Sequence, residues 1–174
     1  MPQKTKRPPR KTETASQEII PSLWFDRQAE EAARFYVSLF PDSHVDEVVE
    51  APADFPSGKK GDVLSVDFTL MGRKFSGLNG GPYFKFSEAV SFTVPCESQV
   101  EVDRYWNALS AVPEAEQCGW VNDRYGLSWQ IVPSMLYGLL ADPDRKKAGR
   151  LMEVILKMKK LDIKTLQQAF EHAK

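Results

Sequence analysis

The sequence predicts an α+β fold in which one order of elements, a strand, a helix and further strands, occurs twice before a helical C-terminal part. Alternating apolar residues indicate half-buried strands, most clearly over residues 63–70. Apolar residues three and four apart indicate two amphipathic helices, whose caps at Asp26 and Ser98 lie about 72 residues apart. Such a repeated order of elements is itself evidence for a fold built from two similar halves.

The first half is predicted to contain a strand, a helix and three further strands. An apolar segment at 19–24 predicts the first strand, and Asp26 is a suitable N-cap for a helix that Pro41 ends. A tight turn at Met71-Gly72 separates the last two strands, since glycine accepts a positive φ. The three later strands are expected at 45–50, 63–70 and 74–78.

The second half repeats this order. A strand over 90–94 is expected to end at Pro95, and Ser98 with Glu101 forms a capping box at the start of a helix. Two strands, at 117–122 and 127–132, flank an Asp-Arg-Tyr-Gly turn.

The last forty residues carry only helical patterns. Asp142 before Pro143 predicts the start of one helix, and a shorter helix follows Asp162. The apolar stripes of these helices cover either the sheet or a second subunit, and packing within the chain is the commoner outcome.

Composition places the chain among globular proteins of one domain. It has 174 residues, of which 42% are apolar and 27% charged. It contains no run of about 18 apolar residues and no apolar stretch behind its basic N-terminus, so no membrane partner and no secretory signal are predicted. A net charge of -1 argues against nucleic acid as a partner. We therefore expect a cytoplasmic protein with reduced thiols at Cys96 and Cys118.

The N-terminal segment 1–17 differs from the rest. It carries five basic residues against Glu13, a net charge of +4, which leaves -5 for the remainder. It also has three prolines and no large apolar residue, so we expect a solvated, disordered basic tail.

Several segments, taken in order, match one family. They are Ser22-Leu23-Trp24-Phe25-Asp26 with the Ala-Glu-Glu-Ala-Ala helix, Leu78-Asn79-Gly80-Gly81-Pro82, Cys118-Gly119-Trp120, Leu127-Ser128-Trp129-Gln130, and Lys157-Met158-Lys159-Lys160-Leu161-Asp162. Together they resemble the PhnB-like proteins, often labelled demethylubiquinone 3-methyltransferase-like, of the vicinal-oxygen-chelate (glyoxalase/bleomycin-resistance) superfamily. The resemblance spans roughly residues 18–170.

The resemblance implies a specific architecture. Two βαβββ modules would form a half-open curled sheet that encloses a ligand cavity, often in a homodimer. We expect one glyoxalase-like domain over 18–174, with modules at about 18–82 and 88–133 and a helical extension at 134–174.

Metal-dependent relatives hold a divalent ion with His and Glu on the cavity strands. This chain has only His44 and His172, and neither falls on a matching strand position. The resemblance instead matches those positions to side chains that are poor ligands for a transition metal, so we expect no metal and no cofactor. These are Pro21, Leu78 or Asn79, Ser91 and Gln130.

Other chemistry is less favoured by the sequence. A typical methyltransferase of this kind uses a glycine-rich turn that opens a helix, whereas Gly80-Gly81 follows a hairpin strand. Cys118 is either a nucleophile or, more commonly, a buried structural thiol. Asp67 is either a base in the cavity or a solvated surface carboxylate. No catalytic residue is assigned.

A small-molecule site needs apolar walls and a few convergent polar groups. We expect ligand contacts from three tryptophans and three polar residues, although each tryptophan alone is more commonly part of a core. The six are Trp24, Asn79, Ser91, Trp120, Trp129 and Gln130.

Two functions of different class follow. The first is a protein that binds a small, partly aromatic molecule in the sheet cavity without a catalytic metal. The second is an enzyme using the same cavity, either methyltransferase-like or a metal-dependent lyase or dioxygenase. A protein-interaction role through the C-terminal helices is a third possibility.

Overall fold

The structure is a computed structural model that describes residues 18–171, so the predicted basic tail and His172 lie outside the described residues. Seven strands and five α-helices follow one another, with a short 3₁₀ helix at Pro113–Ala115. In chain order they are β1 (Ser22–Phe25), α1 (Ala29–Leu39), β2 (His44–Glu50), β3 (Val63–Leu70), β4 (Arg73–Asn79), β5 (Ser91–Cys96), α2 (Gln99–Leu109), β6 (Trp120–Asn122), β7 (Ser128–Pro133), α3 (Met135–Leu140), α4 (Arg145–Ile155) and α5 (Ile163–Glu171).

The strands form two mixed sheets, neither of them closed. One has the order β1-β4-β3-β2 and the other β5-β7-β6. Strand β1 lies at an edge of the first sheet and runs parallel to β4, and β5 lies at an edge of the second sheet and runs parallel to β7. The other strand pairs are antiparallel. The predicted α+β fold of two similar halves is confirmed, and the second sheet has one strand fewer.

One apolar core joins both sheets and the two long helices. The stripe of α1 is buried at Ala29, Ala32, Ala33 and Tyr36, and that of α2 at Val102, Tyr105, Trp106 and Leu109. Aromatic contacts cross between the halves, because the ring of Phe40 stacks on Tyr105 at 5.1 Å and on Trp129 at 5.5 Å between centroids. The two halves therefore share one packed interior.

The C-terminal helices pack within the chain on the second sheet. Val132 of β7 belongs to a smaller core with Leu151 and Ile155 of α4 and with Leu166 of α5. The backbone amides at 118 and 119 also donate to the carbonyls at 158 and 159, each over 2.8 Å. Within residues 18–171, no helix is both long and apolar enough to span a membrane.

Three local predictions were wrong. The helix α1 begins at Ala29 rather than beside Asp26, and α4 is capped by Asp144 instead of Asp142. Strand β5 continues through Pro95 to Cys96. Because β5 is an edge strand, a residue without an amide hydrogen is tolerated there.

Candidate functional site

A cleft of about 550 Å³ lies between the β3–β4 hairpin and the edge strand β5. Three other cavities of the described residues are smaller, at about 330 to 370 Å³. The hairpin contributes Leu70, Met71, Arg73 and Phe75, β5 contributes 91–95, and Phe40, Trp129 and Tyr137 complete the lining. Its volume falls in the range of small-molecule sites, roughly 300–1,000 Å³.

Four aromatic rings give the cleft its apolar walls. Phe75 meets Phe92 edge-to-face at 5.2 Å, and Phe92 in turn lies 5.7 Å from Trp129. Trp129 stacks on Phe40 at 5.5 Å. These rings form a continuous chain from β4 across β5 to β7 and to Phe40, which follows α1, and their edges give the cleft an apolar lining.

Polar groups are few and lie at the cleft margin. The side chain of Ser91 accepts a hydrogen bond from Gln130 Nε2 over 2.8 Å. Since the Ser91 oxygen accepts this bond, its own hydrogen remains available to donate to a ligand. Thr93, Arg73 and Tyr137 add two hydroxyls and a guanidinium.

The orientation of Trp129 is set by a buried carboxylate, Asp123, in the turn between β6 and β7. Its Oδ2 accepts from Trp129 Nε1 over 2.8 Å and from the Tyr36 hydroxyl over 2.7 Å. Its Oδ1 accepts the backbone amides of Tyr125 and Leu127. Burial, reinforced by the neighbouring carboxylate, raises the pKa of Tyr36 far above its usual value. The Asp-Arg-Tyr-Gly turn was predicted from the sequence, but its pattern did not indicate that Asp123 is a buried acceptor.

Trp24 lies in the first sheet and away from this cleft. Its Nε1 donates to the carbonyl of Gly81 over 2.7 Å, and its ring meets Phe84 edge-on at 4.9 Å. Trp24 and Phe84 line a cavity of about 350 Å³. A Cβ on Gly80 would lie 2.2 Å from the indole, so glycine is needed there because the ring approaches the backbone closely.

Asn79 is buried, and both ends of its side-chain amide form hydrogen bonds with backbone groups. Its Oδ1 accepts from the Ala29 amide at the start of α1, and its Nδ2 donates to the Val63 carbonyl, each over 2.9 Å. Asn79 and Gln130 belong to different sheets. The structure therefore does not bring these two predicted contacts together.

Trp120 lies directly opposite Gln130 in the β6–β7 pair, so the two share a face of the second sheet. It lines a cavity of about 330 Å³ with Cys118. Of the six predicted ligand contacts, Ser91 and Trp129 line the large cleft and Gln130 holds Ser91. Trp24, Asn79 and Trp120 lie elsewhere.

Three other residues with reactive side chains are Cys118, Cys96 and Asp67. Cys118 is half-buried at a backbone φ of 53°, next to Gly119. Burial raises the pKa of the Cys96 thiol to about 11, which disfavours the thiolate. Asp67 is exposed. Across residues 18–171, no group of three or more His, Cys, Asp and Glu side chains is arranged to hold a metal ion.

Comparison with known proteins identifies relatives. Residues 17–132 match the model of a family described as 3-demethylubiquinone-9 3-methyltransferase. A solved structure from Bacillus cereus, described as a PhnB protein and assigned the same methyltransferase name, is 34% identical and has a TM-score of 0.57. The match covers 67% of this chain and 99% of that one.

A second solved structure, from Pseudomonas aeruginosa, supports the fold alone. It is 20% identical with a TM-score of 0.51, over 66% of this chain and 95% of that one. No curated protein matches the chain. On the extent of the family match, the chain belongs to the 3-demethylubiquinone-9 3-methyltransferase-like, or PhnB-like, family of the vicinal-oxygen-chelate fold.

Proposed function

We propose that the protein binds a small molecule with an apolar, partly aromatic body in the cleft between the β3–β4 hairpin and β5. The observation that carries this proposal is a cleft of about 550 Å³ walled by four aromatic rings with hydroxyls at its margin. Apolar walls with few polar groups are typical of ligand sites. The adjacent Ser91–Gln130 pair supports a defined ligand orientation, because it leaves one hydroxyl hydrogen free.

We propose further that binding needs no resident metal. Ser91 and Gln130 stand where the family resemblance matches metal ligands, and they offer a hydroxyl and an amide that bond each other. Such a pair is a poor donor set for a transition metal, which prefers imidazole or carboxylate.

A homodimer in the cytoplasm is also proposed. The edge strand β1 has one side unpaired among residues 18–171, and a second copy would protect it. Cys96 and Cys118 are free thiols, as is usual in a reducing compartment. One domain over 18–174 with a basic tail remains the proposed organisation.

Methyl transfer is the second candidate, because the family and its B. cereus member carry that name. The nucleotide-binding turn of a typical methyltransferase does not fit the described residues. Three strands lead directly into helices, through 26–28, 97–98 and 134, and none of these connections contains glycine. A methylated product formed from a demethylated quinone and S-adenosylmethionine would favour this candidate.

Binding is tested with N-phenyl-1-naphthylamine, a neutral aromatic fluorophore. We expect saturable fluorescence enhancement that Thr93→Trp abolishes, because the added indole would fill the cleft from β5. Glu47→Trp is the matched control, since Glu47 is exposed on the other outer strand, β2. Equal binding by all three proteins would contradict the proposal.

Native mass spectrometry of protein purified without chelators tests the metal and the dimer together. We expect twice the chain mass of 19.7 kDa, with or without a small organic adduct. One zinc-, nickel- or manganese-sized addition per chain would overturn the metal-free proposal, and a monomer would overturn the dimer.

A further inference from the structure

Arg73 is a positively charged side chain at the mouth of the cleft. It is the first residue of β4, directly after the hairpin turn, and it is exposed to solvent. Among residues 18–171, no side chain forms an ion pair or hydrogen bond with its guanidinium. Its neighbour Lys74 is different, since its ammonium contacts the Asp46 carboxylate at 2.8 Å.

The charge of Arg73 is a local feature of the cleft. Among the described residues that line the cleft, Arg73 is the one with a charged side chain. The chain beyond the basic tail carries a net charge of -5, so its average surface disfavours anions. An anion bound at this mouth would therefore depend on Arg73 rather than on a generally basic surface.

Neutral polar side chains also line the cleft. Ser91 bonds Gln130, which neighbours Trp129 on β7, so the Ser91 hydroxyl and the Trp129 ring lie on opposite faces of the second sheet. Thr93 and Tyr137 line the cleft as well, and both are exposed. The charged donor among these residues is Arg73, and a guanidinium recognises an oxyanion because it donates two parallel hydrogen bonds to one such group.

We propose that the cleft selects organic anions, in which an apolar ring or chain packs among the aromatic walls and a charged oxyanion group is bound by Arg73. This inference rests on the proposed function, because it names the class of molecule that the same cleft accepts. The rings supply burial of the apolar body, and Arg73 supplies the preference for charge.

The test compares two probes that share the same two ring systems. 1-Anilinonaphthalene-8-sulfonate carries an anionic group, and N-phenyl-1-naphthylamine lacks it. Fluorescence titrations would use the wild-type protein, Arg73→Gln, Thr93→Trp and Lys157→Gln. The last variant is the charge-matched control, because Lys157 is exposed and does not line the cleft.

We expect Arg73→Gln to weaken binding of the sulfonate about five- to tenfold, as loss of a partly screened charge-assisted contact would. The neutral probe should change less than about twofold, and Lys157→Gln should change neither. The sulfonate affinity of the wild type should also fall with added salt more steeply than that of Arg73→Gln.

Three outcomes oppose the inference in different ways. If Thr93→Trp blocks both probes while Arg73→Gln affects neither, the cleft binds small molecules but does not select anions. If Arg73→Gln weakens both probes equally, its role is to shape the cleft. If neither probe binds the wild type, both the inference and the proposed function fail.

Discussion

Removal of the Tyr36 hydroxyl tests the buried network, the hydrogen bonds by which Asp123 joins Tyr36 of the first half to Trp129 of the second. Tyr36→Phe leaves the ring in place and deletes only the donor to Asp123, a contact of 2.7 Å at a fully buried position. A hydrogen bond to a charged group contributes about 1.5–3 kcal/mol. Asp123 would keep three donors, so the free energy of unfolding should fall by about that amount without collapse of the fold. At about 2–4 °C per kcal/mol for a chain of this size, Tm should fall roughly 3–12 °C.

Tyr125→Phe is the matched control, because Tyr125 also donates to a carboxylate. Its hydroxyl bonds Glu31 over 2.8 Å at an exposed position, where water can replace the lost partner. Loss of the Tyr125–Glu31 hydrogen bond should lower the free energy of unfolding by less than about 1 kcal/mol. Urea denaturation followed by tryptophan fluorescence gives both values. Equal losses in the two variants would refute the conclusion that burial, rather than contact with a carboxylate, makes the Tyr36 bond strong.

Three further predictions concern pH, capping and close packing. The pKa of Tyr36 is raised in the folded state, so stability is fully present below the ordinary value of about 10 and falls above it. Between pH 8 and 11 the wild type should therefore lose more stability in urea than Tyr36→Phe, by up to about 1.4 kcal/mol per pH unit. Asn79→Ala should lower the unfolding free energy by about 1–3 kcal/mol, whereas Asn107→Ala, at an exposed helical position, should not. Gly80→Ala should displace the indole packed on it and shift tryptophan fluorescence, while Gly149→Ala, which meets no atom within 4 Å, should stabilise α4 by up to about 1 kcal/mol.

Local patterns predicted the strands and helices well because the buried residues of each element recur at a fixed spacing along the chain. Alternation predicted the strand over 63–70, and β3 has the same bounds, with Val66, Phe68 and Leu70 buried. The stripe of α2 was predicted for the same reason, since residues three and four apart share a helix face. Met71 and Gly72 both adopt positive φ, as a tight hairpin turn requires.

Contacts between distant segments could not be read from such patterns. Asp26 is a suitable cap by residue type, yet the amide that opens α1 is bonded by Asn79, fifty residues later. Asp123 and Tyr36 are 87 residues apart, and nothing in the sequence around either one indicates the other. Asn79 was expected to contact a ligand because it was placed on a central strand facing the cavity, whereas its side chain bonds the backbone of Ala29 and Val63.

Trp129 connects the network with the cleft, and the two roles can be separated. Its indole N–H bonds Asp123, while its ring lines the cleft beside Phe92. Tyr36→Phe keeps the Trp129–Asp123 bond, so it should lower stability and leave the affinity for N-phenyl-1-naphthylamine within about twofold. Trp129→Phe removes the N–H donor and part of the ring surface, so it should lower both, with affinity falling about fivefold or more. Tyr36→Phe could instead weaken binding of the probe as much as Trp129→Phe does. The position of the Trp129 ring would then depend on all the hydrogen bonds to Asp123, and the cleft would be less preorganised than the Trp129–Asp123 bond alone implies.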